Sequence, residues 1–163
     1  MPTRIGAAVV ATGLALAPGF AMAADTRPTL TGNWQGTYVC GQGVTGLTLT
    51  ITKQSGATFS GTFHFFPVVE NPNAKEGCFA VSGHFVTARR VFVGGSTWIS
   101  RPENYVTVDL DGQVSPDGRG ISGKVKLPEH LGALCTTFEL ALEAGPPATP
   151  SACVTGKSAN LVP

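Results

Sequence analysis

Short runs of alternating apolar and polar residues follow one another from Trp34 to Leu142, separated by turns that contain glycine or proline. The run Leu47–Thr52 has aliphatic residues at its odd positions and threonines, expected to face water, between them. Such alternation is typical of a strand with one buried face, because successive side chains point to opposite sides. The predicted strands cover residues 34–40, 47–52, 58–66, 79–85, 89–93, 105–114, 121–127 and 138–142.

Eight strands joined by short connections predict an all-β fold, an antiparallel meander. A meander of this size can close into a barrel, which removes the unpaired strand edges. Glycines fall at the predicted inward positions 36, 61, 83 and 123, and glycine permits the bending that barrel corners require. The interpretation favoured here is a closed, calycin-like barrel, and the alternative is a two-sheet sandwich.

The first 23 residues have the pattern of a signal peptide. Arg4 precedes an apolar stretch from Ile5 to Leu16, and small residues at Ala21 and Ala23 predict cleavage after Ala23. The apolar stretch is shorter than the roughly 20 residues of a membrane span. The sequence therefore predicts a periplasmic or secreted protein with a barrel domain at 24–143. Residues 144–163 form a Gly/Pro-rich tail that we expect to be mostly unstructured.

Charge and hydropathy narrow the classes of partner. The chain has 11 Lys and Arg against 10 Asp and Glu, and Arg4 lies in the predicted leader, so the mature net charge is near zero. Nucleic-acid-binding domains are usually basic, and this balance argues against that class. No later apolar run is long enough for a helical membrane span.

The chain contains four cysteines, Cys40, Cys78, Cys135 and Cys153, and no Cys-x-x-Cys unit typical of a metal site. In an oxidising compartment an even number of cysteines indicates disulfides, and three pairings are possible. We favour Cys40–Cys135 with Cys78–Cys153. The first and last strands of a closed barrel are neighbours, and Cys78 would then anchor a tail that has no core of its own.

The opening Leu30-Thr-Gly-Asn-Trp-x-Gly-x-Tyr38 resembles the Gly-x-Trp opening of calycin-type barrels, which include lipocalins and avidins. The repeated strand pattern in Phe59–Phe63 and Val81–Phe85 is similar to that of avidins. A longer pattern starting at Trp34, WxGxYxCxQGxTxLxLxI, resembles an uncharacterised family of small exported bacterial β domains, and this likeness implies no activity.

A tyrosine two residues before an early cysteine, together with the late Cys135, is similar to the periplasmic inhibitors of C-type lysozyme. That resemblance implies an eight-stranded barrel whose first and last strands are joined by a disulfide. The Ser-Gly-x-x-Tyr loop signature of these inhibitors is not reproduced, because Val81–Phe85 and Ile121–Val125 lack the tyrosine. The likeness therefore carries over the fold and not the inhibited enzyme.

Few residues suggest catalysis. His64 and His84 have the same outward parity and are expected to face each other across neighbouring strands, with Glu70 or Glu76 as a possible third metal ligand. The ordinary interpretation is two solvated histidines, and we predict neither a metal nor a cofactor.

Asp109 and Asp111 share an outward face, and paired carboxylates can perform acid–base chemistry. Charged residues at a strand end beside a turn are common, however, and no nucleophile elbow or phosphate-binding loop is present. We therefore expect a protein that is not an enzyme.

The favoured hypothesis is a binding domain that engages a protein or a cell-envelope component through two loops, Pro67–Gly77 and Ser96–Asn104. Alternate connections of a meander share one end of the barrel, and aromatic and arginine side chains are enriched at binding hot spots. An inhibitor of a lysozyme or protease is one version, by analogy of fold. In the structural alternative, Trp98 plugs the barrel mouth and Tyr105 caps an edge. The candidate binding residues are Trp98, Arg101, Glu103, Asn104, Tyr105, Asn71 and Asn73.

The second hypothesis is a carrier of a small apolar ligand. Some eight-stranded barrels enclose one such molecule. The carrier hypothesis predicts an interior cavity with aromatic walls, formed by Phe63, Phe65, Phe79 and Phe85.

Overall fold

Eight antiparallel strands close into a barrel in the computed structural model, which describes residues 26–132 and 134–154. The first strand pairs with both the second and the eighth, which confirms the closed meander and excludes the two-sheet alternative. The predicted signal peptide lies outside the described residues. The strands are β1 (Gly32–Cys40), β2 (Gly43–Ser55), β3 (Thr58–Phe66), β4 (Gly77–Phe85), β5 (Arg90–Ser100), β6 (Asp109–Val114), β7 (Gly120–Lys126) and β8 (Thr137–Leu142).

Aromatic side chains fill much of the barrel interior. Trp34 is fully buried, and its indole N–H donates a hydrogen bond of 2.7 Å to the carbonyl oxygen of Leu30. The ring of Phe63 stacks on that of Phe79, with centroids 4.6 Å apart, and meets Phe65 edge to face at 6.4 Å. Three of the four rings expected to wall an interior cavity thus pack against one another.

Three of the four inward glycines, Gly36, Gly61 and Gly123, lie where neighbouring backbone approaches very closely. A Cβ atom on Gly61 would lie 1.8 Å from the carbonyl oxygen of Thr50, and one on Gly123 would lie 2.1 Å from that of Asp111. No side chain fits at such distances. These positions therefore require glycine for close contact between strands, which the sequence pattern attributed to bending.

The predicted loop Ser96–Asn104 is wrong in its first half, because β5 continues through Ser100. The pairing of β4 with β5 shifts register on both sides of Phe79, which is the mark of β-bulges. An inserted residue changes the face that later side chains occupy. This interrupts the alternation that identified the fifth strand as ending at Val93, and it turns Trp98 toward Phe79.

The sixth strand begins at Asp109 and not at Tyr105 as the alternation predicted. A turn at residues 102–105 precedes the strand. Asn104 has a left-handed φ of 63°, and the Tyr105 N–H donates to the carbonyl oxygen of Pro102 at 3.4 Å. Val106, which the predicted strand of residues 105–114 included, is 40% exposed. Apolar alternation alone could not distinguish this turn from the strand that follows it.

Residues 143–154, called here the C-terminal strap, continue from β8 and contact the outside of the barrel. Asn33 of β1 holds the strap at two points: its side-chain amide donates to the Pro146 carbonyl oxygen at 3.4 Å and accepts from the Ala148 N–H at 3.2 Å. The same Asn33 oxygen accepts from the Thr50 hydroxyl at 3.0 Å. Thr50 is accordingly buried, although the alternation predicted that it faces water.

Two disulfides, Cys40–Cys135 and Cys78–Cys153, confirm the favoured pairing. The first joins the end of β1 to the residues before β8, and the second joins the strap to β4. Protein disulfides persist in oxidising compartments, so the pair fits an extracellular or otherwise oxidising location. Among the described residues, no helix has the length and apolar content needed to cross a membrane.

Candidate functional site

Four connections gather at one end of the barrel, which is called here the mouth: residues 41–42, 67–76, 101–108 and 127–136, of which 133 is not described. Antiparallel order brings alternate connections to the same end. The two loops that the sequence singled out therefore do lie at one end. The fourth connection, which lies between the last two predicted strands, adds a short 3₁₀ turn, Glu129–Leu131, beside them.

The mouth contains an open cavity of about 250 Å³. Tyr38, Gln42, Asn104 and Tyr105 bring polar atoms to it, and residues 40–41 complete the lining. None of the described residues that line the cavity is charged. The apolar walls are Val106, Val108, Leu127, Leu131 and Leu134.

Gln42 is the central polar residue of the mouth. Its side-chain oxygen accepts hydrogen bonds from the Tyr105 hydroxyl and, at 3.1 Å, from the Lys75 backbone N–H. Its side-chain nitrogen donates to the Tyr38 hydroxyl at 3.5 Å. One amide thus ties together β1 and two loops that are far apart in sequence. This fixes the shape of the cavity before any ligand arrives.

Trp98 and Tyr105 mainly pack on the core. Trp98 lies edge to face on Phe79 with centroids 5.1 Å apart, and Tyr105 stacks on Phe65 at 5.7 Å. Arg101 places its guanidinium 5.8 Å from the centre of the Trp98 ring and donates to the Tyr105 carbonyl oxygen at 2.9 Å. These contacts agree with the structural alternative, in which Trp98 and Tyr105 close the barrel end.

The remaining predicted binding residues have different positions. Asn71 is structural, since its side-chain amide donates to the carbonyl oxygens of Gln42 and, at 3.1 Å, of Val44. Asn73 and Glu103 are exposed on the mouth loops. Of the seven residues, only Asn104 and Tyr105 line the cavity.

His64 and His84 do not face each other, so the expectation of paired histidines was wrong. In the observed register His64 pairs with Cys78, and His84 pairs with Thr58, which lies six residues before His64 in β3. This separates the two histidines by about 20 Å at 3.3 Å per residue. The pairs between β3 and β4 are centred on residue 71, in the middle of the connecting loop, whereas facing histidines would require pairs centred on residue 74. His64 instead contacts Glu76 at 2.8 Å.

Asp109 and Asp111 each have a structural partner. Asp111 accepts two hydrogen bonds from Arg90, at 2.8 and 3.0 Å, and these lower the pKa of its carboxyl group. Asp109 accepts from the Gly95 N–H at 2.8 Å, where the β4–β5 pairing is irregular. Within residues 26–132 and 134–154, no three His, Cys, Asp or Glu side chains lie close enough together to hold a metal ion.

Sequence reasoning missed Tyr38, Gln42 and the three leucines as parts of one site. Tyr38 lies within the predicted first strand, residues 34–40, and was not among the candidate binding residues. Gln42 lies between two glycines in a two-residue hairpin turn, and nothing local distinguishes it from an ordinary turn residue. The available signal was the presence of Leu131 and Leu134 in a connection with no strand pattern, where apolar residues have no other reason to recur.

Exposed apolar side chains concentrate at the mouth. Val69 is 94% exposed and Leu134 is 63% exposed. Single exposed apolar residues are ordinary on monomeric soluble proteins, whereas large contiguous apolar patches are typical of interaction sites. Five of the six large exposed apolar residues described lie at or beside the mouth: Val44, Val69, Val106, Leu134 and Val154. Val86, in the turn between β4 and β5, lies at the opposite end.

Burial of the Tyr38 side chain raises its pKa to about 12, from an ordinary value near 10. Burial also raises the pKa of Tyr105. The folded protein prefers the neutral Tyr38 phenol, so this contribution to stability is complete below pH 10 and is lost as the pH rises toward 12. We expect the free energy of unfolding to fall by about 2–3 kcal/mol across that interval.

The chain has two tyrosines, which allows this to be measured by ultraviolet absorbance. Titration should show two steps, and Tyr38→Phe should remove the one with the higher midpoint. The free energy of unfolding, measured with urea at pH 9, 10.5 and 12, should decline less steeply with pH in Tyr38→Phe than in the unchanged protein. An equal decline in both proteins would contradict the assignment of this effect to Tyr38, because lysine titration affects the two proteins alike.

Comparison with known proteins finds no match: no family model, no curated protein and no solved structure is similar to this chain at a significant level. The class that the fold and site define is thus a disulfide-bonded, eight-stranded β-barrel with an apolar mouth. The likenesses to small exported β domains, avidins and lysozyme inhibitors stay predictions.

Proposed function

We propose that this protein is an exported, non-catalytic binding domain that engages a protein or cell-envelope component through the mouth. The proposal is supported chiefly by the concentration of exposed apolar side chains at that end, around an uncharged cavity. An apolar centre within a polar rim is the usual anatomy of a protein interface. The opposite end has short turns, such as residues 56–57 and 86–89, and Val86 as its single exposed large apolar residue among those described.

The dimensions favour a macromolecular partner over a small ligand. Small-molecule sites usually have volumes of roughly 300–1,000 Å³, and the cavity, at about 250 Å³, is smaller and open. Val69 and Val154 are exposed but do not line the cavity, so the apolar surface extends beyond what a bound small molecule would cover. A protein surface can cover both the cavity and these outlying apolar residues.

The inhibitor version of this function defines the first partners to test. Its support is the resemblance to periplasmic lysozyme inhibitors, together with a disulfide that joins β1 to the residues before β8. This is analogy at the level of the fold. The partner panel therefore consists of C-type lysozymes, secreted proteases and a cell-envelope extract.

Leu134→Asp should abolish capture of the partner, because it places a charge in the centre of the proposed apolar interface. We expect affinity to fall at least tenfold, since a buried unpaired charge costs more than about 1.4 kcal/mol. Biolayer interferometry with the disulfide-bonded protein measures this. Val86→Asp is the matched control, because Val86 is 49% exposed at the opposite end and should tolerate the change.

Equal loss in both variants, or in neither, would overturn the assignment of the mouth. If no partner is captured and native mass spectrometry shows a retained small molecule, the protein is a carrier. The uncharged cavity lining is the observation that favours this second candidate.

A further inference from the structure

We propose that the mouth cavity receives one uncharged aromatic side chain of the protein partner, a tyrosine or a tryptophan, as the anchor of the interface. This rests on the proposed function and specifies its central contact. The cavity lies between β1, the 101–108 connection and the 127–136 connection. It is therefore surrounded on several sides by the exposed residues that the partner would cover.

The absence of charge in the described lining determines the class of side chain. An ionised group moved from water to an apolar site without a partner loses several kcal/mol, so Lys, Arg, Asp and Glu are unfavourable occupants. Charged residues lie on the surrounding loops instead: Lys75, Arg101, Glu103 and Glu129 are exposed. Both signs are present, which suits a polar rim around an uncharged centre.

The polar groups of the cavity favour an aromatic residue with a polar tip. Val108 and Leu127 offer apolar surface to a ring, while the buried Tyr38 hydroxyl and the Gln42 amide offer hydrogen-bonding atoms. Tyrosine and tryptophan carry an apolar body and one polar group, and both are enriched at interface hot spots. A small cavity of about 250 Å³ suits one such side chain.

Hydrogen bonds within the chain hold the walls of the cavity in place, which reduces the entropy lost on binding. Gln42 links Tyr38 to Tyr105, and Arg101 holds the carbonyl oxygen of Tyr105 at 2.9 Å. The turn that carries Asn104 to the rim is fixed by the same contacts. The anchor therefore meets walls that need little rearrangement.

The test uses 3-methylindole and p-cresol, which are the side chains of tryptophan and tyrosine, on the full disulfide-bonded protein. Two-dimensional NMR should show shifts at the backbone amides of Tyr38, Gln42 and Val108 as either compound is added. The charged analogues indole-3-acetate and 4-hydroxyphenylacetate should bind at least tenfold more weakly. Equal binding of charged and neutral compounds, or shifts elsewhere only, would overturn the proposal.

Val106→Trp should fill the cavity with a side chain of the protein itself, because Val106 lines the cavity at its exposed rim. We expect at least a tenfold loss of affinity for both neutral compounds and for the captured partner. Val86→Trp adds the same side chain to an exposed valine at the opposite end and should bind normally. Dispersed, native-like NMR spectra of both variants establish that each is folded.

The outcomes separate the anchor from the proposed function. If Leu134→Asp abolishes partner binding while Val106→Trp does not, and the compounds fail to bind, the mouth is an interface without this anchor. If partner binding is insensitive to both variants, the proposed function fails as well. If sedimentation shows a wild-type dimer that Val106→Trp dissociates, the occupant is a second copy of this chain and the proposal is overturned.

Discussion

Replacing Trp34 by alanine is expected to lower the free energy of unfolding by about 3–5 kcal/mol, the range for truncating a large buried aromatic side chain. Trp34 is fully buried in the first strand, so the truncation leaves an internal cavity. It also removes the indole donor from the carbonyl oxygen of Leu30, a residue that is itself buried. Urea unfolding of the disulfide-bonded protein, followed by circular dichroism, measures the loss.

Trp34→Phe separates the two contributions. Phenylalanine keeps most of the apolar volume but cannot donate to Leu30, and an unsatisfied buried acceptor costs about 1–3 kcal/mol. The loss should therefore be smaller than in Trp34→Ala. Equal losses in the two variants would mean that packing at this position contributes little, contrary to its complete burial.

Removing the Cys40–Cys135 disulfide, by changing both residues to serine, should lower the free energy of unfolding by about 2–5 kcal/mol. The bond closes a loop of 95 residues and so restricts the unfolded chain strongly. It also lies beside the mouth cavity, which Cys40 helps to line. We therefore expect binding at the mouth to weaken in this variant even where the barrel remains folded.

The Cys78–Cys153 disulfide provides the matched comparison. Its sequence separation of 75 residues is similar, so the effect on the unfolded chain should be of similar size. Its local effect should differ, because it holds the C-terminal strap and lies outside the cavity lining. Hydrogen exchange should then show lost protection at the Ala148 amide, with binding of 3-methylindole and p-cresol in the cavity retained. Loss of cavity binding in this variant, but not in the Cys40–Cys135 variant, would contradict the assignment of the cavity as the binding site.

Most residues that form the mouth surface differ from those that pack the barrel interior, and Tyr38 and Val108 belong to both sets. The interior is packed by Trp34, Phe63 and Phe79, whereas the cavity is formed by loops that meet above them. Loop residues such as Leu134 contribute little burial of their own and can be changed with small effects on folding. This separation is what allows the binding variants to be interpreted as losses of contact and not of structure.

The alternation of apolar and polar residues predicted the eight strands and favoured the closed meander, although it misplaced the end of β5 and the start of β6. A buried face imposes a period of two wherever a strand is regular, and Leu49 and Phe63 follow it. The favoured disulfide pairing, one of three possible, relied on closure of the barrel, in which β1 and β8 are neighbours. The two loops named in advance also lie at one end, because antiparallel order requires it.

The features that depend on contacts between distant segments were determined by the tertiary structure alone. The bulges around Phe79 carried β5 through Trp98, and the register of β3 with β4 separated His64 from His84. Each depends on pairing with another strand, which no single segment specifies. The mouth cavity depends on Gln42 reaching Tyr105, 63 residues away in the chain. Sequence patterns report which face of a strand is buried, and the site arises where distant loops meet.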